Sequence, residues 1–416
     1  MNSKPVVIIG AGLAGLCCAR TLQRNGCNFV LLDAQNEVGG RVRTDVVDGF
    51  RLDHGFQVFQ TAYPEAQQQL NYGALRLRNF DPGALIQTGG KQVLMSDPWR
   101  RPQDLLATLM NGVGTFSDRL KLARLRWRVT PGLLEEQWAQ PDSTTEQYLR
   151  ETNGLSADIV DRFFRPWFTG VFLEDRLKTS SRFFRFIFRM FALGDAALPE
   201  DGMGAIPKQL AESLPASQIR LNTKVDSVQG LRVRLQNGET IESQAIVMAV
   251  DGPEAARLTQ GAIRSPKFHS TTCFYYSASR PPFDRKLLML NGDRTGPINN
   301  LCVPSNVAPS YAPTGRSLIS VSVVGSKQDS QDLEPSVRRQ LRDWFGHQTD
   351  QWSLLRSYLI RHALPDQSAH FRDTPASSKI SAGLYQSGDH CETASIHGAM
   401  VSGRKAAEAV LRDRAH

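Results

Sequence analysis

The N-terminal residues show apolar runs separated by glycines and short polar segments. Val6–Ile9 is a run of apolar, β-branched residues, which is typical of a strand buried on both faces of a parallel sheet. A glycine-rich turn follows, then a helix-like stretch from Leu16 to Gly26 and a second apolar run, Phe29–Leu32, that ends at Asp33. The order strand, turn, helix, strand predicts the beginning of an α/β fold with a parallel sheet.

The turn after the first strand carries the spacing GxGxxG, with its three glycines at Gly10, Gly12 and Gly15. The first glycine allows the sharp turn, the second lets a pyrophosphate approach the backbone, and the third lets the helix pack close to the sheet. A helix N-terminus favours phosphates through its free N–H groups. Asp33 follows about twenty residues later, where a carboxylate accepts from ribose hydroxyls. The combination predicts a dinucleotide site rather than an ordinary glycine-rich turn.

Beyond this segment the pattern changes twice. Helical patterns rich in Arg and aromatic residues dominate from about residue 80 to 204, and strand-like patterns then return. A helix is predicted from Pro335 to Phe345, with the proline at its first position, where a missing N–H is tolerated. The later predicted strands are Phe50–Phe59 (a strand and its return), Ile219–Val225, Arg232–Leu235 (a hairpin closed at Asn237-Gly238), Ala245–Val250, Thr271–Tyr276 and Ser317–Val324.

The chain of 416 residues is long enough for two domains. It contains no run of about eighteen apolar residues, so we expect no membrane-spanning helix. Because the first predicted strand begins at Val6, no room is left for a signal or transit peptide, and we expect a cytoplasmic protein or a mature form.

The net charge and the cysteine spacing bear on which partners and metal ions we expect the protein to bind. The net charge of +8 permits attraction to nucleic acid, acidic partners or anionic lipid. No nucleic-acid-binding motif appears, so we expect no nucleic-acid partner. The six cysteines form neither a CxxC pair nor a zinc-binding spacing. We therefore expect reduced, structural thiols and no metal site.

Three further motifs stand at intervals along the chain. Residues 39–44 fit a GGRxxT loop, Asp53-His54-Gly55 fits a DxG segment, and Gly388-Asp389 lies between a strand-like run and a helix rich in small residues. Together with the N-terminal turn, these motifs resemble the amine oxidase / phytoene desaturase / protoporphyrinogen oxidase superfamily of FAD flavoproteins. The resemblance covers nearly the whole chain for fold; it is strong for FAD and weak for substrate.

For domain organisation, the resemblance implies a discontinuous, Rossmann-like FAD-binding domain within an α/β fold and a second, α+β substrate-binding domain. Leu198–Pro207 resembles the turn by which the family's chain re-enters the FAD domain. It has Asp201 where the family has Gly, a change that a turn tolerates. The predicted domains are residues 1-80, 205-261 and 361-416 for FAD, and residues 81-204 and 262-360 for substrate.

The implied FAD contacts fall in several segments. Asp33 would accept from the adenosine ribose, and Arg41 would lie near the pyrophosphate. Gly55–Gln57 would line the flavin, Asp389 would accept from the ribityl chain, and the backbone of Val225 would meet the adenine. No cysteine fits the family pattern for covalent attachment, so we expect non-covalent FAD. The implied cofactor-binding residues are Gly10, Gly12, Ala14, Gly15, Asp33, Ala34, Gly40, Arg41, Gly55, Phe56, Gln57, Val225, Gly388, Asp389 and Ile396.

Candidate residues for chemistry and substrate rest on weaker signals. His390 and His397 lie in flavin-lining motifs, where a histidine can donate a proton or stabilise charge; the alternative is a simple hydrogen-bonded histidine. Phe168 lies in a segment similar to one that leads into the family's substrate cavity. Tyr275 and Tyr276 are candidates for an aromatic wall, although aromatics on a strand are usually core.

Arg182–Phe191 combines three arginines with five phenylalanines. One interpretation is a core helix with arginine stems extended over it. The other is a lip that touches a membrane surface or admits a lipophilic substrate.

Three functions remain open at the level of the sequence. The first is an FAD oxidoreductase that acts on a lipophilic, isoprenoid or cyclic substrate, as a desaturase, dehydrogenase or isomerase. The second is a soluble amine oxidase producing an imine or aldehyde and hydrogen peroxide; it is disfavoured because Ser270–Tyr276 lacks the lysine that such enzymes place there, although Lys267 precedes it. The third is a flavin-binding protein without turnover.

Overall fold

The computed structural model describes residues 4–110, 112–325, 332–371 and 377–414. Residues 1–3, 372–376 and 415–416 of the predicted FAD-binding domain, and residues 111 and 326–331 of the predicted substrate-binding domain, lie outside the described residues. The strands are β1 (Val6–Ile9), β2 (Phe29–Leu32), β3 (Thr44–Val47), β4 (Phe50–Asp53), β5 (Phe59–Gln60), β6 (Arg78–Asn79), β7 (Gly83–Thr88), β8 (Lys91–Ser96), β9 (Ala196–Leu198), β10 (Ile219–Arg220), β11 (Val225–Gln229), β12 (Arg232–Leu235), β13 (Thr240–Glu242), β14 (Ala245–Met248), β15 (Phe268–Ala278), β16 (Leu288–Asn291), β17 (Ile298–Cys302), β18 (Ser317–Val324), β19 (Ser353–Pro365), β20 (Lys379–Ser381) and β21 (Leu384–Gln386). The α-helices are α1 (Leu13–Arg24), α2 (Pro64–Gln69), α3 (Tyr72–Leu75), α4 (Leu105–Leu109), α5 (Phe116–Val129), α6 (Leu134–Ala139), α7 (Thr145–Gln147), α8 (Ala157–Ile159), α9 (Arg165–Phe172), α10 (Ser181–Leu193), α11 (Ala205–Glu212), α12 (Gly252–Leu258), α13 (Pro304–Val307), α14 (Leu333–Phe345) and α15 (Ile396–Arg414).

A six-stranded sheet in the order β10-β2-β1-β14-β21-β20 forms the first core. Its strands run parallel except β20, which pairs antiparallel with β21. Side chains alternate between the two faces: Val6 and Ile8 pack with the core that includes α1 and α15, whereas Val7 and Ile9 pack beneath the antiparallel sheet β11-β12-β13. The sheet has the doubly covered α/β architecture of a Rossmann-like domain.

The first and last helices of this sheet approach each other closely. A Cβ added at Gly403 of α15 would lie 2.0 Å from the carbonyl oxygen of Ala14 in α1. Only glycine permits this spacing, and it brings the C-terminal helix against the helix that opens the GxGxxG turn.

A second, seven-stranded mixed sheet has the order β19-β15-β18-β17-β16-β7-β8. One face packs on α14 through Tyr276, Ile319 and Val337, and the other meets helices from the segment between β8 and β9. All strands of this sheet come from residues 83–96 and 268–365, and all strands of the first sheet come from the three stretches predicted for FAD. The exact domain bounds stay a prediction.

Several predicted elements differ in extent. The first helix begins at Leu13 rather than Leu16. The segment Ile219–Val225 is two strands, β10 and the start of β11, because Asn222 has φ of +50° and a left-handed residue cannot continue a strand. The helix predicted from Pro335 begins at Leu333 instead, which places the proline at its third position, still within the first turn, whose N–H groups have no partner inside the helix.

Candidate functional site

A cavity of about 920 Å³ extends from the carboxyl ends of β1 and β2 into the helical layer. Every motif that the sequence singled out for the cofactor contributes to its wall. The predicted residues that line it are Gly10, Gly12, Ala14, Asp33, Gly40, Arg41, Gly55, Phe56, Gln57, Gly388, Asp389, His390 and Ile396.

The β1–α1 turn forms one end of the cavity. Gly10 has φ of +109°, and a Cβ there would lie 2.6 Å from the carbonyl oxygen of Ala249. The backbone N–H of Ala11 donates to Asp33 Oδ2 at 2.7 Å, and that of Gln35 donates to Oδ1 at 2.8 Å, so the carboxylate has a fixed orientation. A Cβ at Gly12 would meet no protein atom within 4 Å, which leaves open space at the N-terminus of α1. This geometry suits a phosphate beside a ribose.

An ion pair in the cavity wall joins Arg41, from the N-terminal part of the chain, to Asp389, from the C-terminal part. Arg41 Nη2 donates to Asp389 Oδ1 at 2.6 Å, and Nη1 donates to the carbonyl oxygen of Ala363 at 2.9 Å. The N–H of Gly388 donates to Ser402 Oγ in α15 at 2.8 Å, which fixes the turn that presents Asp389. A guanidinium and a buried carboxylate therefore face the cavity between the β1–α1 turn and α15.

The two candidate catalytic histidines occupy different environments. His390 lines the cavity, its buried Nε2 has no protein partner, and burial lowers its pKa, which favours the neutral ring. His397 is not among the lining residues: it lies between Tyr63 and Phe186, with ring centroids 5.7 and 5.3 Å away. Burial lowers the pKa of His397 to about 4. Of the two, only His390 is placed where its ring can reach a bound molecule.

Six other predicted residues also lie outside the described lining of the cavity. Gly15 is in the α1 interior, where a Cβ would lie 1.9 Å from the carbonyl oxygen of Gly10. Ala34 is exposed beyond β2. Val225 of β11 is buried between the first sheet and the β11-β12-β13 sheet, and its carbonyl accepts from Arg257 at 3.3 Å. The three proposed substrate residues, Phe168, Tyr275 and Tyr276, are buried.

The buried rings have structural partners. Tyr275 Oη donates to the carbonyl oxygen of Asp53 at 2.9 Å. Tyr276 faces the α14 side of its sheet, and Phe168 packs 4.6 Å from Phe184, centroid to centroid. Alternation along β15 predicted a strand correctly, but it could not tell which strand face meets the cavity. The roles of these residues in substrate binding stay predictions.

The apolar wall of the cavity comes mainly from residues that the sequence did not single out individually. In α10, Ile187, Phe188 and Phe191 face the cavity, whereas Phe183 and Phe184 are buried in the core. The Arg/Phe stretch is therefore a core helix with one cavity-facing side. The remaining apolar lining residues include Val58, Phe80, Met95, Leu122, Phe163, Trp167, Val171 and Leu288.

Two amide side chains interrupt this wall. Gln60 and Asn300 are both buried and both line the cavity. Neither Nε2 nor Oε1 of Gln60 has a hydrogen-bond partner, and neither has Oδ1 of Asn300. A buried polar atom without a partner is costly, so these atoms are positions where a bound molecule can contribute a hydrogen bond. No signal in the sequence indicated either residue.

Behind the cavity wall, the carboxylate of Asp53 connects three motif segments. It accepts from Thr44 Oγ1 in the GGRxxT loop at 2.5 Å, from the N–H of Met203 at 2.9 Å and from Tyr311 Oη at 2.9 Å. Burial raises its pKa to about 6, although these hydrogen bonds act in the opposite direction. The Asp53 carboxylate therefore anchors the GGRxxT loop from behind and is not part of the described cavity lining.

A model of the family described as flavin containing amine oxidoreductase matches residues 13–411. The protein belongs to this family. It is an FAD-dependent oxidoreductase, and the resemblance found in the motifs is confirmed. FAD is its cofactor. The chain fits that group through the open space at Gly12, the fixed Asp33 carboxylate and the unpartnered Nε2 of His390.

Individual members of the amine oxidoreductase family match shorter regions. Chloroplastic protoporphyrinogen oxidase of Nicotiana tabacum is 27% identical over 177 residues, which cover 42% of this chain and 30% of that protein. Putrescine oxidase of Kocuria rosea is 46% identical over 54 residues, 13% of this chain and 11% of that protein. The matches thus span about a third or less of these relatives. A solved oxidoreductase structure from Methanosarcina mazei has a TM-score of 0.76 at 16% identity, covering 98% of this chain and 100% of that chain, which shows the shared fold.

The described residues also bear on two other properties, metal binding and membrane spanning. They contain no group of three or more His, Cys, Asp or Glu side chains that could hold a metal ion. None of the helices that the structure describes combines the length and the apolar character needed to cross a bilayer.

Proposed function

We propose that this flavoprotein removes a hydride equivalent from a C–H bond of a lipophilic substrate, isoprenoid or cyclic, in a desaturase-, dehydrogenase- or isomerase-type reaction. The observation that carries the proposal is the continuity of the cavity. The same cavity that is lined by the FAD motifs continues into a wall of aromatic and aliphatic side chains from α5, α9 and α10. Such a wall binds an apolar molecule by removing its surface from water.

The charges around the cavity argue against a cationic amine as substrate. An ammonium group is bound by an unpaired carboxylate or by aromatic faces. The acidic residues of the described lining already have partners, so only the aromatic rings of the wall are left to bind such a group. The pairs are Asp81–Arg101, Asp97–Arg126, Glu254–Arg257 and Asp389–Arg41, while Asp33 accepts two backbone N–H groups and Asp251 meets His362 and caps α12.

When bound, FAD supplies the hydride acceptor. The chain's own contribution is placement: the rings of Trp167, Phe188 and Phe191 restrict the substrate and exclude water, and the amides of Gln60 and Asn300 orient its polar atoms. His390 supplies a neutral ring nitrogen at the cavity wall. Orientation of the reacting C–H bond, rather than a dedicated base, is the role assigned to the protein.

The relatives give the proposal limited support. The tobacco relative is named for oxidation of a tetrapyrrole, and 4,4'-diapophytoene desaturase of Methylomonas is 39% identical over 54 residues. Putrescine oxidase is named for an amine. Both substrate classes occur among similar proteins, so the proposal of a lipophilic substrate rests on the apolar wall of the cavity rather than on the relatives.

Anaerobic reduction of the bound flavin tests the proposal. Lipophilic polyenes, cyclic tetrapyrrole precursors and a panel of amines are mixed with FAD-loaded protein, and loss of the oxidised flavin absorbance is followed. We expect bleaching with a lipophilic compound and none with amines. Phe191→Ala should slow that bleaching, whereas Leu193→Ala, on the same helix but 55% exposed and outside the cavity lining, should not. Bleaching by amines alone would overturn the proposal.

A further inference from the structure

The largest concentration of exposed apolar side chains lies on the outer side of the helical layer. Of the thirteen large hydrophobic residues that are exposed in the described chain, eight fall between residues 99 and 133. A scattered distribution would need no explanation, but a cluster of this kind marks a surface that binds something. We call it the α4–α6 surface, and its eight residues are Trp99, Leu105, Leu106, Met110, Phe116, Leu120, Trp127 and Leu133.

Helix α5 shows why core packing does not account for this surface. Leu125 and Val129 point inward and are buried, and the helix packs on α10. Phe116, Leu120 and Trp127 recur at helical spacing on the opposite side and are 70%, 60% and 76% exposed. The helix is thus apolar on two faces, of which only one is covered by the protein.

Basic residues accompany the exposed apolar stripe. Arg124 lies within it, one turn from Leu120, and both Arg124 and Arg128 are exposed, with no acidic partner in the described part of the chain. Between residues 99 and 133 there are seven basic residues against two acidic ones. Arg100, Arg101 and Arg126 pair with acidic side chains, so the positive charge beside the exposed stripe comes mainly from Arg124 and Arg128. Exposed tryptophan and leucine flanked by arginine is the composition of helices that lie in the headgroup region of an anionic bilayer. A second copy of the chain is disfavoured because two positive surfaces would face each other.

The α4–α6 surface also adjoins the cavity. Trp99 and Arg100 line the cavity and are exposed, so the cavity reaches the outside beside them. Leu122 and Arg126 of α5 line it from within, and Arg126 stacks over the ring of Trp99 at 5.2 Å. Helix α5 is therefore the wall between the cavity and the exposed apolar stripe.

We propose that the α4–α6 surface docks on an anionic lipid bilayer and holds the cavity mouth against the membrane. The segment that the sequence suggested for membrane contact, Arg182–Phe191, is inside the protein, and the docking surface is the layer outside it. A molecule dissolved in the bilayer would then enter beside Trp99 without crossing water.

Sedimentation of the full, FAD-loaded protein with vesicles tests this. We expect binding to vesicles of mixed phosphatidylcholine and phosphatidylglycerol and about tenfold weaker binding to phosphatidylcholine alone. A triple variant, Phe116→Ser, Leu120→Ser and Trp127→Ser, should bind the mixed vesicles at least about tenfold more weakly. The double variant Arg124→Glu, Arg128→Glu should lose the preference for phosphatidylglycerol.

A matched control replaces exposed apolar residues elsewhere, with Val46→Ser, Leu231→Ser and Leu354→Ser, and should bind like the wild type. Wild-type protein that stays in the supernatant with both vesicle types would overturn the proposal, as would equal losses in the two triple variants. If light scattering instead shows a dimeric wild type and a monomeric Phe116/Leu120/Trp127 variant, the surface binds a second copy of the chain, and the membrane proposal is wrong. Sedimentation needs no turnover, so its result is separable from that of the flavin-reduction assay.

Discussion

The pKa of Asp53 allows a quantitative test of how burial of its carboxylate changes the free energy of unfolding. Its carboxylate is 4% exposed, and burial raises its pKa from 3.8 to about 6. A pKa raised in the folded state gives a contribution to stability that is complete below about pH 4 and is lost as the pH rises through 6. The difference corresponds to about 3 kcal/mol of unfolding free energy between pH 4 and pH 8.

The substitution Asp53→Asn isolates this contribution. The asparagine Oδ1 can still accept from Thr44 and Met203, and its Nδ2 can donate to the oxygen of Tyr311, so the geometry is retained. The side chain no longer ionises. The variant should therefore gain about 3 kcal/mol relative to the wild type between pH 4 and pH 8.

The assay is urea unfolding of FAD-loaded protein at several pH values, with free flavin held constant because a bound ligand stabilises the folded state. Asp45→Asn is the matched control, from the same β3–β4 hairpin. Burial acts to raise the pKa of Asp45, but hydrogen bonds from His54 and Tyr358 outweigh it and lower that pKa. The contribution of Asp45 to the free energy of unfolding is therefore lost as the pH falls. The two difference curves should slope in opposite directions. Identical pH dependence for wild type and Asp53→Asn would refute the argument and show that the three donors offset burial.

Three further substitutions probe the site and its frame. Gly12→Ala should leave the unfolding midpoint of the apoprotein unchanged but weaken FAD affinity at least about tenfold in titrations, because the added Cβ meets no protein atom and enters the space at the helix N-terminus. Gly403→Ala should lower the free energy of unfolding by about 1–3 kcal/mol, since the Cβ would lie 2.0 Å from the Ala14 oxygen; an unchanged value in urea unfolding would contradict the observed helix spacing. Gln60→Leu should slow anaerobic flavin bleaching by a lipophilic substrate that carries a polar atom, because it removes an amide that can orient that atom; an unchanged bleaching rate would mean that the amide makes no contact with the substrate.

The sequence predicted best what depends on local spacing. The GxGxxG turn and Asp33 belong to one strand–turn–helix–strand unit, and the structure joins them by a hydrogen bond from Ala11. The pairing of Arg41 with Asp389 spans the length of the chain, and no periodicity could indicate it. Only the resemblance placed both residues at one cofactor.

The sequence could not show which residues face the substrate side of the cavity, because that depends on tertiary packing. A strand pattern places Tyr275 and Tyr276 on opposite faces, yet both faces of β15 are buried and neither ring lines the cavity. Five phenylalanines in α10 look alike in sequence, and only tertiary contacts separate Phe188 and Phe191 from the rest. Gln60 stands in a two-residue strand, and its unpartnered amide is visible only once the surrounding apolar wall is known.

The order of strands in the parallel sheet bears on how the protein is made. β1 is flanked by β2 and β14, the sheet continues to β21, and α15 closes against α1. During synthesis, β1 can pair with β2 and β14 early, but the face of α1 that α15 covers stays exposed until α15 has been made. The flavin pocket is incomplete until Asp389 and the first turn of α15 have been synthesised, so complete cofactor binding requires this segment. C-terminal truncation before Asp389 should accordingly leave a chain that engages chaperones rather than a weakened holoenzyme.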